Sequence, residues 1–159
     1  MFQIPLNVAQ MAALTSTPKI PVLIVERHAA VRRALNKRLS ATSHLDVIAS
    51  VNEPAAAIPF LESKQLVEGS NANPTVVLLG LQNGTDEELF KTLDIVQQMS
   101  NYRATVVVLA PYADEIERLL LQQAGASHYL LKHIDSIRLI QEIESAAHYT
   151  QSQVIGRQS

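Results

Sequence analysis

The feature of this chain that most constrains its fold is a fivefold alternation of short apolar runs with helix-length segments. The apolar runs are rich in β-branched residues and cover residues 21–26, 45–51, 75–81, 104–110 and 127–132. Runs of this length, bounded by Pro, Gly or charged residues, are typical of buried strands in a parallel sheet. The segment at 75–81 is apolar almost throughout, so we expect it near the centre of the sheet.

The segments between the runs carry helix signals. Apolar residues at 31, 35 and 39 follow the spacing of one helix face, and Pro54 suits a first helical turn. Thr85 with Glu88 forms a capping-box pattern. Asp114 and Asp135 are typical N-caps, and Gly125 is a typical C-terminal stop.

Strands that alternate with helices of crossover length predict an α/β fold with a parallel sheet covered on both faces. For five strands we expect the flavodoxin-like (βα)5 three-layer sandwich with order 2-1-3-4-5. We expect this domain to cover residues 20–149. Residues 1–19 are interpreted as an extension, poorly ordered or a short helix, and residues 150–159 as a polar tail.

Composition and charge exclude several kinds of chemistry. The chain has 159 residues and no cysteine, which excludes a disulfide scaffold, a thiolate metal site and a cysteine nucleophile. The net charge of −2 gives no basic surplus, so no direct nucleic-acid contact is expected. With no signal pattern and no membrane-length apolar run, we expect a cytoplasmic protein with no membrane contact. The histidines show no ligand spacing, and we expect no metal and no cofactor.

Three runs carry a family resemblance. They are VLIVERH at 22–28, VVLLGL at 76–81 and AGASHYLLK at 124–132, the last being the most specific. Together they resemble the receiver domain of bacterial two-component response regulators, in the type that precedes a LuxR-like output domain. The resemblance covers roughly residues 20–149 and implies a place in phosphorelay signal transduction.

The resemblance implies a phosphorylation pocket at the strand ends. The family has two acids after strand 1 and an aspartate after strand 3, which bind Mg²⁺ and accept a phosphoryl group. It also has a hydroxyl after strand 4 and a lysine after strand 5. In this chain those five positions hold Glu26, Arg27, Gly80, Ala110 and Lys132.

Most of these residues depart from the family pattern. A cation at Arg27 repels Mg²⁺, and Gly80 has no side chain that could accept a phosphoryl group. We therefore interpret the pocket as degenerate, with Glu26 left to form an ion pair with Lys132 and with Arg27 as a second possible partner. An alternative interpretation is an anion site, with Arg27 and Lys132 holding a phosphate-like ligand above the Gly80 amide. Tyr129 matches the aromatic position that receivers use as a rotameric switch.

A candidate interface lies on the fourth and fifth predicted helices. Leu119, Leu120 and Leu121 are consecutive, so one helix face cannot bury all three, and Leu139 raises the same question. The resemblance implies that the surface of helix 4, strand 5 and helix 5 contacts partners, so we expect a protein partner there, with a homodimer as one form.

The sequence thus predicts an atypical receiver, or pseudo-receiver, that acts by protein contact without Asp phosphorylation. A different class of function, sensing of a small anion or nucleotide at the strand ends, stays open. We expect no enzyme, because the sequence offers no nucleophile, glycine-rich phosphate loop or metal cluster.

Overall fold

Five parallel strands form one sheet in the order β2-β1-β3-β4-β5. In the computed structural model, which describes residues 19–69 and 74–157, they are β1 (Ile20–Val25), β2 (Leu45–Val51), β3 (Thr75–Gly80), β4 (Ala104–Ala110) and β5 (Ala126–Leu131). The predicted flavodoxin-like topology is confirmed, and β3 is the central strand.

Helices cover both faces of this sheet. They are α1 (Ala29–Ser40), α2 (Ile58–Glu68, after a 3-10 turn at Pro54–Ala57), α3 (Asp86–Met99), α4 (Glu115–Ala124) and α5 (Ser136–Arg157). Side chains of α2, α3 and α4 pack with one face of the sheet, and those of α1 and α5 pack with the other. Because every strand runs in the same direction, the loops after the strands gather at one edge of the sheet.

The predicted helix boundaries depend on capping contacts that the structure contains. The side chains of three N-cap residues each accept a hydrogen bond from the backbone amide three residues on: Thr85 from Glu88 (3.2 Å), Asp114 from Glu117 (3.0 Å) and Asp135 from Arg138 (2.9 Å). Gly125 ends α4 with a φ of 125°, a conformation that side chains disfavour. These caps fix where α3, α4 and α5 begin, and hence the loops after β3, β4 and β5.

The C-terminal boundary differs from the expectation. Helix α5 continues to Arg157, so most of the predicted tail at 150–159 is helical. The reason is that no Pro or Gly interrupts the chain between Ser136 and Gly156, and a helix that has begun propagates through polar residues. The predicted N-terminal extension lies, except for Lys19, outside the described residues.

The candidate interface also needs a correction. Leu121 and Leu139 are buried, at 0% and 1% exposure, in the two cores on opposite faces of the sheet. They stabilise the docking of α4 and α5 and cannot contact a partner. Leu119 is exposed and Leu120 is half-buried, so the outward-pointing residue that the triple leucine required is Leu119. No helix among the described residues is long and apolar enough to cross a membrane.

Candidate functional site

The ends of β1, β3 and β5 bring together three of the five predicted pocket residues. Glu26 directly follows β1, Gly80 is the last residue of β3, and Lys132 directly follows β5. The amide of Lys132 donates to the carbonyl of Ala110 at 2.8 Å, which fixes the start of its loop beside β4. From there the Lys132 Nζ reaches the Glu26 Oε1 at 2.8 Å.

The Glu26 side chain is buried, with 1% exposure, and every polar group of its carboxylate has a partner. Oε1 accepts from Lys132, while Oε2 accepts from the His28 backbone amide and from the Gln82 Nε2, both at 2.9 Å. The Glu26 backbone carbonyl accepts from the Arg32 Nη1 at 2.8 Å. A buried charge is tolerated when it is paired and hydrogen-bonded in this way.

Burial by itself raises the pKa of Glu26, because it penalises the charged form. The hydrogen bonds from Lys132, the His28 amide and Gln82, with the positive charge of Lys132, outweigh that penalty and leave the pKa lowered. Glu26 is therefore a carboxylate at neutral pH, and the ion pair with Lys132 is formed.

Gly80 is the position that lets Glu26 adopt this arrangement. A Cβ atom on residue 80 would lie 2.7 Å from the Glu26 Oε1 and 3.2 Å from both the Glu26 Cδ and the Val25 carbonyl oxygen. The first distance is shorter than real carbon–oxygen contacts. The Glu26 carboxylate thus fills the space that a side chain at position 80 would take.

The side chains of the two other predicted pocket residues take no part in the contacts around Glu26. Ala110 is fully buried and packs in the core formed with α2, α3 and α4. Arg27 is exposed, and no salt bridge joins it to a carboxylate in the described part of the chain. Arg27 is therefore not the partner of Glu26, whose ammonium partner is Lys132.

Gln82 is a site residue that the sequence reasoning missed. It follows β3 by two positions, and its side chain turns back to donate to Glu26. Its place beyond a strand end was a usable signal, because polar residues there face the loops of neighbouring strands.

A second group of hydrogen bonds links the loops after β3 and β4. The Tyr112 hydroxyl donates to the Asn83 Oδ1 at 2.5 Å. The Tyr129 hydroxyl lies 2.8 Å from the Glu117 Oε1 and 3.3 Å from the Tyr112 carbonyl oxygen. Burial and the nearby Glu117 carboxylate raise the pKa of Tyr129, so its hydroxyl stays protonated as a donor. The predicted switch aromatic is thus tied to α4.

The residues present do not fit the Mg²⁺ ion that the resemblance implies. A hard cation needs several oxygen ligands, and here one carboxylate is already engaged by an ammonium group. Within residues 19–69 and 74–157, no group of three or more His, Asp or Glu side chains is arranged to hold a metal ion.

Comparisons with known proteins agree on the fold. The solved structures that resemble this one include the signal receiver domain of the response regulator NarL from Mycobacterium tuberculosis, with a TM-score of 0.67 and 17% identity over 83% of this chain and 98% of that one. A response regulator from Thermotoga maritima matches with a TM-score of 0.64 and 20% identity, over 82% of this chain and 98% of that one. The chain has the receiver fold.

Sequence comparison points to the same group of proteins. The transcriptional regulatory protein DegU of Brevibacillus brevis is 26% identical over 129 residues, which are 81% of this chain. That match spans 50% of the relative's length. No family model matches the chain.

Proposed function

We propose that this receiver-like domain is a pseudo-receiver: a signalling module that works by protein contact and is not phosphorylated on aspartate. The observation that carries the proposal is at Gly80, where the receiver resemblance expects the acceptor. Glycine offers no side-chain carboxylate to form an acyl phosphate, and the Glu26 carboxylate fills the space that a side chain at position 80 would take.

The state of Lys132 supports the same conclusion. In the receiver pattern this lysine binds the transferred phosphoryl oxygens, whereas here its Nζ is hydrogen-bonded to Glu26 at 2.8 Å. The negative charge that Lys132 requires is supplied permanently by the chain itself. A switch driven by gain and loss of a phosphoryl group has no place in such an arrangement, so the output depends on partner binding.

The alternative, a sensor of small anions or nucleotides at the strand ends, gains no support from this geometry. An anion above Gly80 would meet the buried Glu26 carboxylate, and both would compete for Lys132. Two negative charges placed next to each other in a buried site repel strongly.

The homodimer stays a prediction. Of the four leucines proposed for it, Leu119 and Leu120 remain accessible on α4. Light scattering of the wild-type chain tests it, with Leu119→Glu, at the exposed leucine of α4, as the disrupting variant. A monomer at all accessible concentrations contradicts the homodimer and leaves the pseudo-receiver proposal standing.

Phosphorylation itself is tested with acetyl phosphate and Mg²⁺, followed by intact-protein mass spectrometry. We expect no mass gain for the wild-type chain. The matched positive control is the triple variant Glu26→Asp/Arg27→Asp/Gly80→Asp, in which the shortened acid at position 26 leaves room for a side chain at position 80. Gain of Mg²⁺ binding by the triple variant would support the alignment of the pocket. A stoichiometric, base-labile phosphoryl adduct on the wild-type chain would overturn the proposal.

A further inference from the structure

Exposed apolar side chains gather where α3 and α4 begin. Phe90 on α3, Tyr112 in the loop before α4, and Ile116 and Leu119 on α4 are all exposed, Ile116 at 72%. Ile116 and Leu119 are three positions apart and so form one strip along α4. Large apolar groups grouped on a surface mark a contact site more often than single ones do.

Acidic residues lie close in sequence to these apolar residues. The first turns of α3 and α4 are acidic because negative charge there complements the helix dipole. The acids are Asp86, Glu87, Glu88, Asp114, Glu115 and Glu117. The cations near them are Lys91, which pairs with Glu87, and Arg118, which pairs with Glu115. The local charge is therefore clearly negative, although the whole chain carries only −2.

The two helix starts belong to one continuous surface. Strands β3 and β4 pair directly, and α3 and α4 cover the same face of the sheet. The hydrogen bond between Tyr112 and Asn83 joins the loop before α4 to the loop before α3. We call the four exposed apolar residues with the six acids the α3–α4 surface.

We propose that the α3–α4 surface binds a basic amphipathic helix of a separate partner protein. The apolar strip would receive the apolar face of that helix, as in helix-in-groove recognition, and the acids would pair with its Lys and Arg residues. This inference deepens the proposed function, on which it rests, by naming the class of partner.

A second copy of the chain is a poorer occupant of the same surface. In a two-fold symmetric dimer each patch faces its own equivalent, so the acidic turns of the two copies would be brought together. Like charges juxtaposed in an interface oppose association. Charge complementarity thus favours a basic partner over self-association through α4.

The test uses a synthetic amphipathic helical peptide of leucine and lysine, with a leucine–glutamate peptide of the same pattern as control. Binding is followed by NMR of the isotope-labelled chain and by fluorescence anisotropy. We expect shifts confined to residues 84–91 and 112–119, and affinity that falls with salt. The variant Ile116→Ser/Leu119→Ser should lose roughly tenfold in affinity. The control Leu66→Ser, at an 81% exposed apolar site on α2, should lose none.

Several outcomes overturn the inference. One is that the NMR shifts spread over acidic residues all over the protein. Another is that Leu66→Ser loses as much peptide affinity as Ile116→Ser/Leu119→Ser. A third is that the leucine–glutamate peptide binds as tightly as the leucine–lysine peptide. Self-association that Ile116→Ser abolishes would show that a second copy covers the surface. None of these results depends on acetyl phosphate, so phosphorylation of the wild-type chain would overturn the proposed function separately.

Discussion

Replacing Lys132 by methionine leaves the buried Glu26 carboxylate without its cation while keeping most of the side-chain volume. Hydrogen bonds that involve a charged group contribute about 1.5–3 kcal/mol, and breaking a fully buried ion pair costs about 3–5 kcal/mol. The Lys132 side chain is 23% exposed, and Glu26 keeps the donors His28 N and Gln82 Nε2. We therefore expect Lys132→Met to lower the free energy of unfolding by about 2–3 kcal/mol.

Neutralising the other partner, Glu26, should lower the free energy of unfolding by a smaller amount. In Glu26→Gln the amide oxygen can keep both the His28 amide and Gln82 as donors, and the Lys132 ammonium can turn towards water. We expect a loss of about 1–2 kcal/mol, and the double variant should reveal a coupling of similar size. The asymmetry follows from burial, because Glu26 is enclosed and Lys132 is not.

Urea unfolding of the single and double variants measures these differences. Lys91→Met is the matched control, since Lys91 pairs with Glu87 at 3.6 Å and both side chains are mostly exposed. Its cost should stay below about 0.5 kcal/mol. The reasoning is refuted if Lys132→Met costs no more than Lys91→Met, or if Glu26→Gln is the more damaging change.

Three further predictions concern Gly80, Glu26 and Tyr129. Gly80→Ala should destabilise the fold by about 1–3 kcal/mol, because its Cβ displaces the Glu26 carboxylate, and Glu26→Asp should reduce that cost; urea midpoints measure both. Because folding lowers the pKa of Glu26, its carboxylate stabilises the fold fully at pH values above its pKa in the unfolded chain. That stabilisation is lost as the pH falls through its pKa in the folded chain. Stability measured below about pH 4 should therefore fall less steeply in Glu26→Gln than in wild type. Tyr129→Phe should cost about 1 kcal/mol, and Glu117→Gln should lower the pKa of Tyr129 in an ultraviolet titration; an unchanged titration would contradict the assigned hydrogen bond.

Much of the fold could be predicted because its signals are local. The bounds of β2 and β4 match the predicted runs at 45–51 and 104–110, since apolar, β-branched residues begin and end abruptly there. The N-caps at Thr85, Asp114 and Asp135 need only the residues within their own turn. Helix α5 was predicted too short because its last part, to Arg157, has no apolar period, and propagation without a helix breaker leaves no positive signal.

The sequence could predict which strand-end residues come together at the candidate site, but it could not predict how their side chains pack. The rule that strand ends meet at one edge of the sheet selects Glu26, Gly80 and Lys132 without coordinates. The part played by Gln82 depends on how its side chain turns after β3, which spacing alone does not determine. The burial of Leu121 and Leu139 depends on how α4 and α5 rotate against the sheet, and neighbouring leucines look alike in a sequence.

Glu26 and Gly80 are best understood as one packing arrangement. A glutamate side chain is one methylene longer than an aspartate side chain. The Oε1 of Glu26 occupies space that is free only because residue 80 has no Cβ. With any side chain at position 80 this rotamer of Glu26 would collide at 2.7 Å, and with a shorter acid at position 26 the Lys132 ammonium would lose its partner. Position by position, the two residues look like separate losses of the receiver pattern. Considered together, the space that Gly80 leaves lets the Glu26 carboxylate form its ion pair with Lys132, which joins the end of β1 to the end of β5.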